Sequence, residues 1–177
     1  METSEKLPAS VGRYLIESKV GEGSVGVVYR ARDPLLGRAV AIKVPRSRDG
    51  GETAKSDLSA HFYREAAIAG RFSHPNVVSV HDVGRDGETD FMVMELVDGV
   101  SGRDLVQRSG TLPVWDVLTI VYECCRALDF IHYHHIVHRD IKPGNVLITH
   151  DRDHAKLVDF SVAHWIGETV DRVQGTL

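Results

Sequence analysis

The chain has 177 residues, which at roughly 150 residues per domain corresponds to one domain or slightly more. Apolar residues make up 42% and charged residues 26%, a composition that excludes a fibrous protein and argues against a disordered one. Lys and Arg number 21 against 25 for Asp and Glu, and the net charge of −4 argues against a dedicated nucleic-acid binder or a polybasic membrane anchor.

Residues 1–12 are predicted to form a disordered lead-in, because the segment is polar and lacks the apolar stretch of a secretory signal. No part of the chain reaches the ~18 apolar residues of a membrane span, so we predict no membrane segment. The two cysteines, Cys124 and Cys125, are adjacent and exclude a disulfide framework. A cytoplasmic location is therefore the default expectation.

Three strands are predicted next, at Tyr14–Val20, Val27–Arg32 and Ala39–Val44. A glycine-rich break separates the first two strands, and an Asp-Pro-Leu-Leu-Gly turn at residues 33–37 separates the second and third. Such short connections predict an antiparallel meander rather than a βαβ unit, whose parallel strands need a long crossover.

A helix is predicted at Asp57–Phe72, followed by two strands at Val77–Val83 and Phe91–Val97. Residues 14–97 are therefore predicted to form a small sheet with one inserted helix. We place a boundary between two lobes near residue 98, where the composition changes.

The second part of the chain is predicted to be mostly helical. A short helix at Arg103–Arg108 precedes a longer one that has Pro113 at its first position and runs to about His134. Apolar residues cover more than one stripe of the longer helix, which predicts burial on most sides. These residues are Val117, Leu118, Val121, Cys124, Cys125, Leu128 and Ile131. Two short strands, Val146–Thr149 and Ala155–Val158, and an irregular tail follow.

The motif Gly21-x-Gly23-x-x-Gly26 allows three interpretations: a dinucleotide site, a hairpin that covers phosphates, or a plain turn. A dinucleotide site requires a helix to begin at the motif, so that the helix N-terminus faces the pyrophosphate. Because residues 27–29 are predicted as strand, the motif favours the phosphate hairpin, in which glycines let backbone N–H groups approach a ligand.

Lys43 ends the apolar run Val40-Ala41-Ile42, where an ammonium buried without a partner is unfavourable. Glu65, on the predicted helix, is a candidate counter-charge. The alternative is a lysine that reaches solvent and an unrelated exposed glutamate. Taken singly, these two residues favour that alternative.

The strongest signal is the segment His138-Arg139-Asp140-Ile141-Lys142-Pro143-Gly144-Asn145, followed by Asp159-Phe160. A carboxylate, a lysine and an amide lie close together in one loop, and a second carboxylate follows one short hairpin later. Phosphoryl transfer needs such groups, because one carboxylate orients the attacking hydroxyl and accepts its proton while oxygen ligands hold Mg²⁺.

With these motifs in this order, the chain resembles the catalytic domain of protein kinases, and most of all the eukaryotic-like serine/threonine kinases of bacteria. The resemblance runs from about Tyr14 to Leu177. It implies an α+β, protein-kinase-like two-lobed fold: a complete antiparallel N-lobe with one helix at 13–98, and the first part of a helical C-lobe at 99–177. Because the sequence stops before the position of the family's Ala-Pro-Glu motif, we expect a fragment of a kinase.

The resemblance assigns a role to each site residue. Asp140 is expected to be the catalytic base, with Lys142 near the γ-phosphate, and Asn145 and Asp159 are expected to bind Mg²⁺. The residues expected around ATP are Gly21, Glu22, Gly23, Ser24, Gly26, Val28, Ala41, Lys43, Glu65, Glu95, Val97 and Leu147.

Within that set, the resemblance implies different contacts for different residues. Lys43 would hold the α- and β-phosphates and pair with Glu65. Glu95 and Val97 would hydrogen-bond adenine through their backbone groups, with Met94 behind the base.

The activity implied is ATP-dependent phosphorylation of serine or threonine in proteins, because Lys142 two residues after Asp140 is the pattern of Ser/Thr kinases. The expected partners are ATP and a protein substrate, and nucleic acid is not expected. Arg139 resembles the arginine that reads activation-loop phosphorylation, which makes Thr169 the candidate phosphosite. The alternative for Thr169 is an ordinary exposed loop threonine.

Three residues depart from the family pattern. Val25 stands at the tip of the glycine loop, Ser161 replaces the glycine of Asp-Phe-Gly, and Ala69 replaces a larger apolar residue. These departures and the missing part of the C-lobe motivate a second hypothesis, a pseudokinase-like module that binds nucleotide or a partner without catalysis.

The cluster of histidines and the cysteine pair are given structural roles. His138 is expected to pack against Phe160, and the histidines at 132–135 suit the C-terminal end of a helix dipole better than a metal site. Cys124 and Cys125 are predicted to be helix-core residues.

Overall fold

The computed structural model of the chain describes residues 7–23, 26–46, 52–150 and 154–165. The chain divides into two compact units. The first comprises Met1–Arg71 and Ser79–Val97, and the second comprises Phe72–Val78 and Asp98–Leu177. The segment 72–78 thus groups with the second unit, although in sequence it lies between the two parts of the first.

Among the described residues, the first unit is built on six strands. They are β1 (Ser10–Val11), β2 (Tyr14–Glu22), β3 (Gly26–Arg32), β4 (Ala39–Pro45), β5 (Val80–Asp86) and β6 (Thr89–Glu95). They form one antiparallel sheet in the order β1-β2-β3-β4-β6-β5, which confirms the predicted meander. Because a strand begins at Gly26, the dinucleotide interpretation, which requires a helix there, is wrong.

Two groups of apolar side chains form the interior of the first unit. One group lies within the sheet and consists of Val11, Tyr14, Ala31, Val40, Ile42, Phe91 and Val93. The other joins helix α1 (Glu52–Ala69) to β6 through Phe62, Ala66 and Met92. This second group fixes one face of α1 on the sheet, and Glu65 lies on the same helix.

Helix α1 differs from the predicted helix at both ends. It begins at Glu52, five positions before the predicted Asp57, and ends at Ala69 rather than Phe72. Gly70 donates its N–H to the carbonyl of Ala66 at 2.8 Å and closes the last turn. Phe72 lies beyond this end and packs in the second unit, so the apolar pattern of the helix extends past the helix itself.

Strand β5 begins three residues later than predicted, at Val80 instead of Val77. The backbone groups of the preceding residues pair elsewhere: Val78 donates to the carbonyl of Leu157 at 3.0 Å, and Leu157 donates to the carbonyl of Asn76 at 2.8 Å. Residues 76–78 are therefore attached to the second unit and not to the six-stranded sheet.

Within its described residues, the second unit contains a short helix, a long helix and several short strands. Its elements are β7 (Gly99–Ser101), α2 (Gly102–Ser109), α3 (Val114–Tyr133), β8 (Ile136–Val137), a 3-10 helix (Pro143–Asn145), β9 (Val146–Thr149), β10 (Ala155–Leu157) and β11 (His164–Trp165). The strands pair as β10-β9-β7 and β11-β8. Pro113 is the N-cap residue of α3 and not its first residue, because its φ of −55° is accompanied by a non-helical ψ of 143°.

The predicted burial of α3 on most sides is wrong for the described chain. Its buried residues are Glu123, Ala127 and Ile131. Its exposed large apolar residues are Val114, Trp115, Val117, Leu118, Val121, Tyr122 and Tyr133. Cys125 is also exposed and Cys124 is half-buried, so the prediction of two core cysteines is wrong for Cys125. Neither α3 nor any other helix within the described ranges is long and apolar enough to span a membrane.

Candidate active site

The glycine motif lies on the hairpin between β2 and β3. Gly23 donates its N–H to the carbonyl of Gly26 at 2.9 Å. A Cβ added to Gly21 or Gly23 would meet nothing within 4 Å, whereas one added to Gly26 would lie 2.2 Å from the carbonyl oxygen of Val44. Gly26 is therefore required by the close pairing of β3 with β4, while Gly21 and Gly23 leave the hairpin surface open. The predicted ATP-binding residue Ser24, like Val25, lies outside the described residues.

Glu22, the last residue of β2, forms two ion pairs next to the turn of this hairpin. Glu22 pairs with Lys19, three residues earlier on β2, and with Arg46, which follows β4. The side chain of Glu22 therefore links the hairpin to the end of the neighbouring strand.

Lys43 and Glu65 form a buried ion pair. Lys43 Nζ lies 2.6 Å from Glu65 Oε1, and the two side chains are 9% and 5% exposed. Lys43 stands in β4 opposite Met92 of β6, and Phe62 and Ala66 of α1 pack against that same methionine. The packing thus brings Glu65 to the lysine, and the alternative of a solvent-exposed lysine and an unrelated glutamate is wrong. Removing one partner of such a pair leaves an uncompensated buried charge.

Three of the residues expected around adenine, Val28, Ala41 and Glu95, lie on neighbouring strands of the first unit. Val28 of β3 is opposite Lys43, and Ala41 of β4 is opposite Met94 of β6. Glu95 ends β6, and its N–H donates to the carbonyl of Ser79 at 2.9 Å. A ligand at Glu95 would therefore have to meet the carbonyl side of that residue.

Leu147 and the catalytic-loop residues belong to the second unit. Leu147 stands in β9, opposite Lys156 of β10 and Ser101 of β7. It is half-buried, unlike its neighbours Val146 and Ile148, which are buried. The alternation places Leu147 on the opposite face of the strand from these core residues.

The loop before β9 brings three of the predicted residues together. Lys142 Nζ lies 2.5 Å from Asp140 Oδ2. Asn145 Nδ2 donates to the same carboxylate oxygen and to the backbone carbonyl of Asp140, both at 2.9 Å. The hydrogen bond from Lys142 is the main cause that lowers the pKa of Asp140 below its usual range, with Asn145 acting in the same direction. Asp140 is thus an ionised carboxylate held by two donors.

His138 connects this loop to the segment that carries Asp159. It is 1% exposed, and burial lowers its pKa, so the imidazole is neutral at pH 7. Its Nδ1 accepts from the N–H of Asp140 at 3.3 Å, and its Nε2 lies 3.1 Å from the carbonyl of Val158. An acceptor at Nδ1 places the proton on Nε2, where it donates to Val158. The predicted packing of His138 on Phe160 is confirmed, with ring centroids 5.0 Å apart.

Asp159 directly follows a residue whose backbone is hydrogen-bonded to this loop. The N–H of the preceding residue, Val158, donates to the carbonyl of Asn145 at 3.0 Å, and the negative charge of Asp159 raises the pKa of Asp140 as a minor contribution. Asp159 has a φ of 66°, a left-handed conformation that is uncommon for a residue with a side chain. Ser161 is not among the described residues with positive φ, so its Cβ introduces no strain of that kind.

A carboxylate, a lysine and an amide therefore meet in the loop before β9, and the charge of a second carboxylate, Asp159, influences the first. A buried lysine–glutamate pair lies in the first unit. The sequence profile of the protein kinase domain matches residues 14–177. The chain belongs to the protein kinase domain family. In this kinase domain, the fold described above is the antiparallel N-lobe sheet with its helix, followed by part of the C-lobe.

Several curated relatives of this kinase domain come from bacteria. A probable serine/threonine-protein kinase of Clostridium acetobutylicum is 38% identical over 168 residues, which cover 93% of this chain and 25% of that protein. PknB of Mycolicibacterium smegmatis is 36% identical over 168 residues, covering 93% and 26%, and PrkC of Bacillus subtilis is 36% identical over 158 residues, covering 89% and 24%. Both are named serine/threonine-protein kinases. The chain thus spans about a quarter of the length of these relatives.

Sequence reasoning missed two buried polar residues that position the kinase loop segments. Asn76 donates through Nδ2 to the carbonyl of Ala155 at 3.0 Å, and Glu123 of α3 accepts the N–H of Ala155 at 2.5 Å. Both residues hold the first residue of β10, the strand that leads to Asp159. For Glu123 the sequence contains one indication, a carboxylate within an apolar helix. Such a carboxylate is unfavourable unless it accepts a hydrogen bond from a donor.

The histidines of this kinase domain do not build a metal site in the part of the chain that the structure describes. No group of three or more His, Cys, Asp or Glu residues there is arranged to hold an ion. His134 instead packs on Phe72 and Phe130, with centroids 5.8 and 4.7 Å away. Thr169, the candidate phosphosite, lies outside the described residues, and Arg139 is exposed with a φ of 66°.

Proposed function

We propose that the chain is the ATP-binding and catalytic-loop part of a serine/threonine protein kinase, which transfers the γ-phosphoryl group of ATP to a hydroxyl group of a protein. The observation that carries the proposal is the loop in which Asp140 is held by Lys142 and Asn145 at 2.5 and 2.9 Å. The names of the bacterial relatives support serine and threonine as the acceptors. The division into an N-lobe at 13–98 and a partial C-lobe at 99–177 remains part of this proposal.

Asp140 is assigned the role of catalytic base. Its lowered pKa keeps it ionised and therefore able to accept a hydrogen bond from the attacking hydroxyl. The side chain is 31% exposed, so a substrate hydroxyl has access to it. Lys142, at 46% exposure, is assigned to the γ-phosphate, where its ammonium would offset the charge of the transferring group.

Asn145 and Asp159 suit a magnesium ion by their chemistry. The Nδ2 group of Asn145 donates to Asp140, so its Oδ1 atom would be the ligand for a cation. Mg²⁺ prefers oxygen ligands and is usually held by one or two carboxylates together with substrate phosphates. When bound, the ion would neutralise charge on the phosphates, while this chain's own residues orient the hydroxyl and accept its proton.

The first unit is assigned to ATP. Lys43, fixed by Glu65, supplies a positive charge for the α- and β-phosphates, and the open hairpin surface at Gly21 and Gly23 offers backbone N–H groups without an intervening Cβ. The backbone of Glu95 and Val97, with Val28 and Ala41 as apolar contacts, is assigned to adenine. Leu147, which the kinase resemblance also assigns to adenine, belongs to the second unit. A cytoplasmic location is proposed because the cytoplasm supplies ATP.

A paired binding and transfer assay tests the proposal. The full-length protein is titrated with ATP and Mg²⁺ while its thermal unfolding is followed, and ³²P transfer to a mixed protein substrate is measured with phosphoamino-acid analysis. We expect stabilisation by MgATP and label on serine or threonine. Stabilisation without transfer would contradict catalysis and support the nucleotide-binding module, and label on tyrosine would contradict the assigned acceptor class.

A further inference from the structure

A polar network joins helix α1 to the β5–β6 hairpin of the first unit. Ser59 and Tyr63 lie one turn apart on α1. Arg85 and Asp90 face each other across the hairpin, where they are register partners. None of these four residues belongs to the site assigned above.

Asp90 is the centre of this network. Arg85 donates to it through Nε at 2.6 Å and through Nη2 at 3.2 Å, and the hydroxyl of Tyr63 donates to the same carboxylate at 3.1 Å. Arg85 Nη2 also donates to Ser59 Oγ at 2.9 Å. The side chain of Asp90 is only 7% exposed, so these donors replace the water that the carboxylate has lost.

The two-point contact between Arg85 and Asp90 fixes the orientation of both side chains. A guanidinium that meets a carboxylate through two N–H groups fixes the plane and position of both groups. Arg85 holds Asp90 within the hairpin, and the Tyr63 hydroxyl and the Ser59 hydroxyl then attach α1 to that fixed pair. The arginine also lowers the pKa of Asp90, which keeps the acceptor ionised.

The network and the Lys43–Glu65 pair hold opposite sides of the same helix. Tyr63 and Glu65 are two residues apart, which corresponds to about 200° around a helix of 3.6 residues per turn. The apolar contacts to Met92 lie between these two attachments. Asp90 and Met92 are two positions apart on β6, so they share one face of that strand. The rotation of α1 about its axis is thus determined by Asp90 on one flank and by Lys43 on the other.

We propose that Tyr63 and Asp90 are positioning residues for phosphoryl transfer, which hold α1 in the rotation that brings Glu65 to Lys43. The expected effect of these two residues on phosphoryl transfer rests on the proposed kinase function. Neither residue touches the assigned substrate groups, and both act through the lysine–glutamate pair.

Tyr63→Phe in the full-length protein tests the inference, because it removes only the hydroxyl that reaches Asp90. Tyr14→Phe is the matched control: its hydroxyl donates to Asp82 at 2.9 Å in the same unit, but Tyr14 lies on β2 and not on α1. Both variants lose one tyrosine–carboxylate hydrogen bond, so they are expected to lose similar overall stability.

Two measurements are made on each protein. For Tyr63→Phe, we expect kcat/KM for ATP to fall about fivefold, the factor that corresponds to one lost hydrogen bond, and amide hydrogen exchange to rise in peptides from residues 52–69. For Tyr14→Phe, both quantities should stay at wild-type values. Asp90→Asn, which keeps an oxygen acceptor for Tyr63, should give an intermediate result.

The outcomes separate this inference from the proposed function. If Tyr63→Phe matches Tyr14→Phe in both kcat/KM and α1 exchange, the positioning role is overturned. If wild-type protein transfers no phosphate, the proposed function fails, and the exchange measurement alone then decides whether Tyr63 holds the helix. Raised exchange confined to α1 supports that role, and unchanged exchange overturns it.

Discussion

Two lysine–carboxylate pairs of the candidate site, Lys43–Glu65 in the first unit and Lys142–Asp140 in the second, lie in opposite environments. Lys43 and Glu65 are 9% and 5% exposed, whereas Lys142 and Asp140 are 46% and 31% exposed. The distances, 2.6 and 2.5 Å, are nearly equal. The difference therefore lies in solvation and not in contact geometry.

The difference in solvation distinguishes a pair that holds the structure together from a pair that is accessible to a ligand. A buried pair cannot be opened without leaving a charge in an apolar surrounding, so it constrains the position of α1. An exposed pair is screened by water and contributes little to stability, so it can exchange its partner for a ligand. In the proposed function, the first pair positions a group for ATP and the second presents groups to the reacting atoms.

Breaking the buried pair is expected to give the largest loss of stability. Lys43→Met removes the ammonium that pairs with the buried Glu65 carboxylate, and we expect a loss of about 3–5 kcal/mol in the free energy of unfolding. Urea unfolding without nucleotide measures it. The double variant Lys43→Met/Glu65→Leu is the control and should recover most of the loss, because no charge remains buried. A single variant that unfolds at the wild-type midpoint would show that the pair is solvated.

Substitution of the buried Glu123 in the second unit should give the next largest loss of stability. Glu123→Ala leaves the N–H of Ala155, a residue that is 2% exposed, without its acceptor, and we expect a loss of about 1–3 kcal/mol. Glu123→Gln retains an oxygen acceptor and should lose less. Urea unfolding with hydrogen exchange at β10 measures both effects, and equal losses for the two variants would contradict the assigned hydrogen bond.

The buried histidine predicts a smaller, pH-dependent effect. Burial lowers the pKa of His138 in the folded state, so the unfolded chain takes up a proton first as the pH falls below about 6.5. His138 therefore contributes stability above that pH, which is lost as the pH falls toward the lowered pKa. Unfolding midpoints at pH 7.5 and 5.5 should differ more for wild-type protein than for His138→Gln. Identical pH dependence of the two proteins would show that His138 does not contribute.

The exposed pair should show the smallest effect on stability. Lys142→Met is expected to leave the urea midpoint unchanged, because water already solvates both Lys142 and Asp140. The same variant should slow phosphoryl transfer. A clear loss of stability would mean that the second pair is structural like the first, and the contrast between the units would disappear.

Local patterns in the sequence predicted the strands and the loop motif well, because alternation, turns and close spacing are local properties. The strand predicted after Gly26, which is also a local pattern, correctly excluded a dinucleotide site. The Lys43–Glu65 pair was different: the two residues, taken singly, favoured unrelated positions, and their contact depends on how α1 packs on Met92. The kinase resemblance supplied that pairing, and local physics did not.

Other features could not be predicted because their partners are distant in the chain. Residues 76–78 have the composition of a strand, but they hydrogen-bond to β10, about eighty positions later. Gly26 was assigned to phosphate approach, yet the contact that requires it is the carbonyl of Val44. For α3, the apolar stripes predicted burial, but stripes alone do not show whether a covering element is present.

The most direct test of the central claim is ³²P transfer from ATP by the full-length protein and by its Asp140→Asn variant, with MgATP binding measured on both. Asp140→Asn is nearly isosteric and removes only the charge that accepts the hydroxyl proton. We predict unchanged binding and a rate that is lower by about 10²–10⁴-fold. Equal transfer by the two proteins would contradict the assignment of Asp140 and, with it, this account of the site.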